Sequence, residues 1–136
     1  MQGKLLQIMT SSPETVTSDE SVEDALRKMR QQKCRHLPIL DDETLVGIVS
    51  DRELRGYVLP TDALEADWDM IRARLQEPIS HISQSNPLTL GPDDEIDDAI
   101  ELMLEQDIGA IPVVEPAEGY LMGMVSYVDI LRHALR

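Results

Sequence analysis

The sequence predicts an α+β fold made of two β-α-β-β-α repeats. Residues 45–55 (LVGIVSDRELR) recur near the C-terminus as residues 121–132 (LMGMVSYVDILR). A second set of matches follows a fixed offset of 74 residues and pairs Pro13 with Pro87, Ala25 with Ala99, Met29 with Met103 and Pro38 with Pro112. Two copies of one pattern in the same order indicate one structural unit repeated.

Repeat length and strand composition predict how the two copies pack. A repeat of roughly fifty residues buries too little surface to be stable alone. The predicted strands are near-continuous apolar runs, which is typical of sheets covered on both faces. We therefore expect two small sheets packed face to face about a pseudo-twofold axis, with repeat one at residues 8–56, a helical linker at 57–81 and repeat two at 82–136.

Local patterns predict the elements of the first repeat. Residues 1–14 predict one or two helical turns, and residues 15–17 a short strand. Ser18 and Asp19 supply N-cap chemistry for a helix that ends near Gln32 or Lys33. The apolar residues of this helix recur at helical spacing, at Val22, Ala25, Leu26 and Met29. Strands follow at residues 36–40 and 45–49, and Ser50 begins the next helix.

Local patterns also predict the elements of the linker and of the second repeat. Residues 63–75 predict a helix that Pro78 ends, with one apolar face formed by Leu64, Trp68, Ile71 and Leu75. In repeat two, Pro92 and Asp93 predict a helix start, and the inward residues are Ile96, Ala99, Ile100, Met103 and Leu104. Strands are predicted at residues 111–114 and 120–125, and the last helix at 126–135.

Composition limits the classes of function. The net charge of −14, from 26 acidic and 12 basic residues, argues against binding of duplex nucleic acid or an anionic membrane surface. Cys34 is the only cysteine, so no intrachain disulfide forms. The sequence shows no signal-peptide pattern and no apolar run near the ~18 residues of a spanning helix, so we expect a soluble, cytoplasmic protein.

Ser50 and Ser126 each stand where a predicted strand meets a helix N-terminus. Free N–H groups and the helix dipole favour an anion there, and a carboxylate three residues later can accept both hydroxyls of a ribose. The structural alternative is a capping box, in which the acid accepts a hydrogen bond from the N–H of the cap residue. Both interpretations stay open for Ser50 with Glu53. The shorter Asp129 is expected to be a poorer capping partner, which favours a ligand role.

The doubled pattern carries a family resemblance. An apolar strand with proline (HLPI at residues 36–39, AIPV at 110–113), a turn and Gly-apolar-apolar-Ser-x-x-acid resemble the cystathionine β-synthase (CBS) domain. Two in tandem resemble a CBS pair, or Bateman module, over residues 8–56 and 82–135. The resemblance implies a regulatory homodimer that binds an adenosine-containing ligand (AMP, ADP, ATP or S-adenosylmethionine) in two clefts and acts on a protein partner in trans.

The resemblance also implies that each cleft mixes residues of both repeats. One cleft would combine Met124, Ser126 and Asp129 with Ser12, Glu14, Cys34 and Arg35. The other would combine Ile48, Ser50, Arg52 and Glu53 with Asn86, Leu88, Ile108 and Gly109. Arg35, His36 and Arg52 are the phosphate candidates, although for Arg52 alone a solvated loop is favoured. Glu53 departs from the aspartate usual in the family, which makes the Asp129 cleft the stronger candidate.

Other functions find less support in the sequence. It has no Ser-His-acid set and no glycine-rich phosphate loop, so we expect no enzyme activity and no required cofactor, an adenine nucleotide being a regulatory ligand. Cys34 and His36 are too few ligands for a metal. Residues 93–98 lack the ligand alternation of a calcium loop. The alternative function is a dimerisation or partner-docking module whose clefts bind nothing.

Overall fold

The computed structural model describes residues 2–59, 67–83 and 86–136. Its helices and strands are α1 (Leu5–Ile8), β1 (Thr10–Ser11), β2 (Val16–Thr17), α2 (Val22–Gln32), β3 (His36–Asp41), β4 (Thr44–Ser50), α3 (Asp51–Val58), α4 (Trp68–Leu75), a 3₁₀ turn (Ile79–His81), α5 (Ile96–Gln106), β5 (Ala110–Val114), β6 (Leu121–Ser126) and α6 (Tyr127–Ala134). The predicted α+β fold class is confirmed.

The chain forms two compact units. Glu14–Asn86 form the first-repeat unit, and Met1–Pro13 with Pro87–Arg136 form the second-repeat unit. The second-repeat unit is therefore discontinuous in sequence.

The first-repeat unit contains a three-stranded sheet in the order β2-β3-β4. β2 is parallel to β3, and β3 is antiparallel to β4, with His36 opposite Ser50. α2 contacts β3, and α3 contacts β4. The buried core consists of Val16, Val22, Ala25, Met29, Leu37, Ile39, Val49, Leu54, Val58, Ile71 and Ile79. Ile71 and Ile79 come from the linker region, so that part of the chain packs on this unit.

The second-repeat unit contains a sheet in the order β1-β6-β5, in which both pairings are antiparallel. Leu90 forms a parallel bridge with Val113, which corresponds to the β2–β3 pairing of the first unit. The buried core consists of Leu5, Ile96, Ala99, Met103, Ile111, Val113, Val125 and Ile130. The two units therefore share the same arrangement of strands and of buried core residues.

The N-terminal segment completes the second-repeat unit. The Leu5 N–H donates to the Asp94 carbonyl (2.9 Å), and the Leu5 side chain is fully buried. β1 lies close against β6, since a Cβ added at Gly123 would come within 2.7 Å of the Thr10 carbonyl oxygen. At the offset of 74, Leu5 corresponds to Ile79, which is fully buried in the first-repeat core. Each repeat is therefore completed by the segment that precedes the other one.

The backbone passes between the two units at equivalent positions. Ser12 and Asn86, 74 residues apart, both have left-handed backbone conformations (φ 50° and 60°), which non-glycine residues seldom adopt. Each is followed by a proline, Pro13 or Pro87. The internal repeat thus extends to individual backbone angles.

Two predicted helix starts are wrong. The N-cap of α2 is Ser21, whose Oγ accepts from the Asp24 N–H (3.1 Å), whereas Ser18 and Asp19 precede the helix. α5 begins at Ile96 because residues 91–94 form a turn, in which the Gly91 N–H donates to Asp94 Oδ2 (2.7 Å). In both cases a turn with N-cap-like chemistry comes before the true cap.

Two predicted inward residues are exposed. Leu104 is 79% exposed and Trp68 is 67% exposed, whereas Ile71 is buried and Leu75 is half-buried. α4 starts at Trp68, and the first part of the helix predicted at 63–75, with Leu64, lies outside the described residues. None of the described helices has the length and apolar character to cross a membrane.

Candidate functional site

The N-terminus of α3 carries the first candidate pair, Ser50 and Glu53. Ser50 Oγ accepts a hydrogen bond from the Glu53 N–H (3.0 Å), and the Ser50 N–H donates to Glu53 Oε1 (3.2 Å). This reciprocal pair is a capping box. Of the two interpretations left open by the sequence, the capping one is therefore realised, and one oxygen of the Glu53 carboxylate is engaged in it.

The N-terminus of α6 carries the second pair, Ser126 and Asp129. The Ser126 N–H donates to Asp129 Oδ2 (2.8 Å), and Ser126 Oγ donates to the same oxygen (3.1 Å). The Asp129 N–H lies 3.3 Å from Ser126 Oγ, at the edge of hydrogen-bond range. The expectation that aspartate makes a poor capping partner is wrong. An aspartate at the third helical position reaches the cap N–H, as Asp24 does in α2 (3.2 Å).

The two oxygens of Asp129 differ in their contacts. Oδ2 accepts both bonds from Ser126, whereas within the described part of the chain Oδ1 accepts none. A carboxylate oxygen has more than one lone pair, so an ionised aspartate can cap a helix and still accept from a ligand. Capping and ligand binding are therefore compatible at this residue, and its ligand role remains a prediction.

Each helix N-terminus is tied to the loop before the neighbouring strand. The Asp51 N–H donates to the Arg35 carbonyl (2.8 Å), and in the second unit the Tyr127 N–H donates to the Gly109 carbonyl (3.1 Å). These bonds hold the pre-proline residues beside the Ser-x-x-acid motif of the same unit.

Burial sets the protonation of two groups in the first-repeat unit. Burial lowers the pKa of His36, an effect that the Glu53 carboxylate opposes and the Arg35 guanidinium reinforces. Burial also raises the pKa of the Cys34 thiol, and the charge of Glu14 adds to this effect. At neutral pH the imidazole of His36 is therefore neutral, and the thiol of Cys34 is protonated, beside the N-terminus of α3.

The structure divides the predicted site residues between the two units. The first-repeat unit holds Glu14, Cys34, Arg35, His36, Ile48, Ser50, Arg52, Glu53 and Asn86, and the second holds Ser12, Leu88, Ile108, Gly109, Met124, Ser126 and Asp129. Arg35, Arg52 and Glu53 are exposed, Ser126 and Asp129 are half-buried, and Met124 is buried. Each predicted cleft draws on both units, so the two composite clefts remain predictions.

The first-repeat unit also contains a groove that the sequence did not predict. It encloses about 340 Å³ and is lined by Leu26, Met29, Arg30, Lys33, Cys34, Arg35 and Asp51. Cys34 and Arg35 were site candidates, whereas Arg30 and Lys33 were missed. The available pattern was three basic residues within six positions of an acidic chain, at the end of a helix. In the described part of the chain, no three His, Cys, Asp or Glu side chains are grouped so as to hold a metal ion.

Comparison with known proteins identifies the family. The sequence profile of the CBS domain matches residues 5–60 and 79–136. The chain is 32% identical over 135 residues to a CBS domain-containing protein of Dictyostelium discoideum, which covers 96% of this chain and 90% of that relative. The chain belongs to the CBS domain family. Its two copies stand in tandem and form a CBS pair, or Bateman module.

Solved structures share the fold. The CBS-pair protein CBSX2 from Arabidopsis thaliana is 29% identical, with a TM-score of 0.84 over 99% of this chain and 96% of that one. CBSX2 has also been solved in complex with AMP, at 29% identity and a TM-score of 0.79. Other relatives are larger proteins, and the chain spans 42% of one from Thermofilum pendens to which it is 30% identical.

Proposed function

We propose that this CBS pair is a regulatory sensor of an adenosine-containing ligand, namely AMP, ADP, ATP or S-adenosylmethionine, and that it acts in trans on a protein partner. The observation that carries the proposal is the similarity to CBSX2, which binds AMP in a crystal and aligns with 97% of this chain. The Ser-x-x-acid motif at the start of both α3 and α6 supports it from the chain itself.

Asp129 is the proposed ribose acceptor. The bonds from Ser126 fix the carboxylate in one orientation before any ligand arrives, so binding does not have to order it. With Ser126 and Met124, it would form the cleft whose remaining residues are Ser12, Glu14, Cys34 and Arg35, and His36 is a further phosphate candidate. The second proposed cleft consists of Ile48, Ser50, Arg52, Glu53, Asn86, Leu88, Ile108 and Gly109.

The test is calorimetric titration of nucleotide-free protein with AMP, ADP, ATP and S-adenosylmethionine. At least one should bind, and at 100 times its Kd it should stabilise the protein by about 2.7 kcal/mol. Asp129→Ala should weaken that ligand at least about tenfold, because a charge-assisted hydrogen bond is lost.

Asp98→Ala is the matched control. Asp98 closes the corresponding hydrogen bond at the start of α5, where the Glu95 N–H donates to its Oδ2 (3.0 Å), but it is not a site candidate. Both variants should lose a similar amount of helix stability, and only Asp129→Ala should lose affinity. Absence of heat with all four ligands, or equal loss of affinity in the two variants, would contradict the proposal.

The second candidate function is a dimerisation or docking module. It is favoured by the closed capping boxes and by an apolar surface along α6 and its C-cap, where Tyr127, Leu131 and the C-cap Leu135 recur every four residues and are 45–88% exposed. We propose a second copy of the chain as the occupant of this face. Leu131→Gln should shift the protein towards the monomer in analytical ultracentrifugation, whereas Leu6→Gln, on the exposed side of α1, should not.

The net charge of the chain disfavours two classes of macromolecule as partners. A net charge of −14 opposes binding to nucleic acid and to anionic membranes, so we propose a cytoplasmic protein as the regulated partner. The proposed role is regulatory, and no enzymatic step is assigned to the chain.

A further inference from the structure

The groove in the first-repeat unit is built by the end of α2 and the loop that follows it. Lys33 caps the helix in a left-handed conformation (φ 54°), and the N–H groups of Lys33 and Cys34 both donate to the Met29 carbonyl. This tight turn brings Arg30, Lys33 and Arg35 to one concave surface, with Leu26 and Met29 also lining it. The backbone turn at Lys33 therefore positions the three cations.

The three cations are exposed and, among the described residues, form no ion pair. Asp51 is the only acidic residue among the described residues that line the groove, and its carboxylate is already paired with Arg55 (3.0 Å). Elsewhere in the same unit Arg27, Lys28 and Arg72 are each paired with acids, whereas Arg52 and Arg74 form no ion pair among the described residues. Three of the five cations of this unit that form no ion pair among the described residues thus line one groove of a strongly acidic protein.

The second-repeat unit shows that the fold does not require these charges. At the offset of 74, Arg30, Lys33 and Arg35 correspond to Leu104, Asp107 and Gly109. Asp107 even caps α5 in the same left-handed conformation (φ 52°). Cations near a helix C-terminus do interact well with the helix dipole, yet α5 ends without them.

We propose that this groove binds the di- or triphosphate chain of an anionic ligand. Arginine grips phosphate oxygens with two parallel bonds, and lysine adds a mobile point charge. A volume of about 340 Å³ lies in the range of small-molecule sites. The chain could belong to ADP or ATP, in which case the inference rests on the proposed sensor function, or it could be free inorganic triphosphate.

The experiment titrates the full chain with inorganic triphosphate, ATP and AMP, for the wild type and for Arg30→Gln/Lys33→Gln. Both residues are exposed, so the variant should keep its circular dichroism spectrum and unfolding midpoint. Triphosphate and ATP should bind the variant at least about tenfold more weakly, because two charge-assisted contacts are lost. Binding should also weaken with added salt. Arg132→Gln, which removes one exposed charge from the other unit, should bind like the wild type.

The outcomes separate this inference from the sensor function. Loss of triphosphate and ATP binding in the groove variant, with AMP binding unchanged, supports both. Loss of triphosphate binding in a protein that binds no adenosine ligand supports the groove alone and assigns it to the inorganic chain. A groove variant that binds triphosphate and ATP like the wild type, or a wild type that binds neither, overturns the groove proposal whatever AMP does.

Discussion

The two repeats agree at buried positions and differ at exposed ones. Val22, Ala25 and Met29 on α2 correspond to Ile96, Ala99 and Met103 on α5, and all six are buried. One residue further along each helix, Arg30 and Leu104 are both exposed and chemically opposite. Packing restricts a buried side chain to a similar size and polarity, whereas solvent imposes no such limit. The comparison teaches that one scaffold can present a cationic groove in one repeat and, at the equivalent positions of the other, a surface without cations.

The largest expected effect concerns the segments that close the two units. Leu5→Ala and Ile79→Ala each remove a fully buried side chain at equivalent positions, and each should lower the free energy of unfolding by about 2–5 kcal/mol. Urea unfolding measures both. Leu6→Ala is the control, because Leu6 is 52% exposed and its loss should be small. A negligible effect of Leu5→Ala would show that the N-terminal segment does not close the second unit.

A second prediction concerns the approach of β1 to β6. Gly123→Ala would place a Cβ 2.7 Å from both the Thr10 carbonyl oxygen and Met9 Sδ, so the N-terminal segment must shift. Overpacking of this kind destabilises by about 1–3 kcal/mol, measured by urea unfolding. Gly56→Ala is the control, since nothing lies within 4 Å of a Cβ there. Equal stability of Gly123→Ala and wild type would contradict the close approach.

A third prediction compares the two N-caps. Ser21→Ala removes a side chain that accepts from the Asp24 N–H and should cost about 1 kcal/mol. Glu95→Ala, at the equivalent position, removes an exposed ion pair with Lys4 (3.0 Å) and should cost about 0.5 kcal/mol or less. The difference in unfolding midpoint between the two variants is the measurement. If Glu95→Ala were the more damaging, the carboxylate itself would be capping α5.

The smallest predicted effect is a pH dependence confined to the first repeat. Burial lowers the pKa of His36, so the unfolded chain holds the extra proton more tightly than the folded one. The stability due to the neutral ring is full above about pH 6.5, the ordinary histidine value, and is lost as the pH falls towards the lowered pKa. His36→Ala, which copies the equivalent Ala110, should flatten this part of the unfolding profile. An unchanged slope would assign the pH dependence to other groups.

The sequence predicted the elements that repeat and missed what depends on contacts between distant segments. The strands and α2 followed from apolar periodicity and from the 74-residue offset, because those patterns are local. The docking of α1 on the second-repeat unit was not predictable, since four helical residues carry no information about the surface they will cover. Trp68 and Leu104 were predicted to face the core because periodicity indicates which face of a helix is apolar. It does not indicate how far the neighbouring element covers that face.

The candidate site was predicted in part, for related reasons. Ser50 and Ser126 were placed correctly at helix starts, since a strand followed by Ser-x-x-acid is a local pattern. The hydrogen bonds by which Asp129 caps α6 were not predicted. Whether an aspartate side chain reaches the N–H of the cap residue depends on the geometry of the first turn of the helix. Arg30 and Lys33 were missed because the turn at Lys33, a left-handed lysine, brings them into the groove with Arg35.

The position of the N-terminal segment makes the C-terminal half of the polypeptide depend on the N-terminal half. A single cut between residues 86 and 87 would leave fragments joined by β1 on β6 and by Leu5 in the core of the second unit. The fragment of residues 1–86 would keep the whole first-repeat core, whereas the fragment of residues 87–136 would depend on Leu5 and β1 from the other piece, so the two pieces should stay associated without a covalent link. A gene encoding residues 87–136 alone would yield a chain with an open sheet edge and an unfilled core.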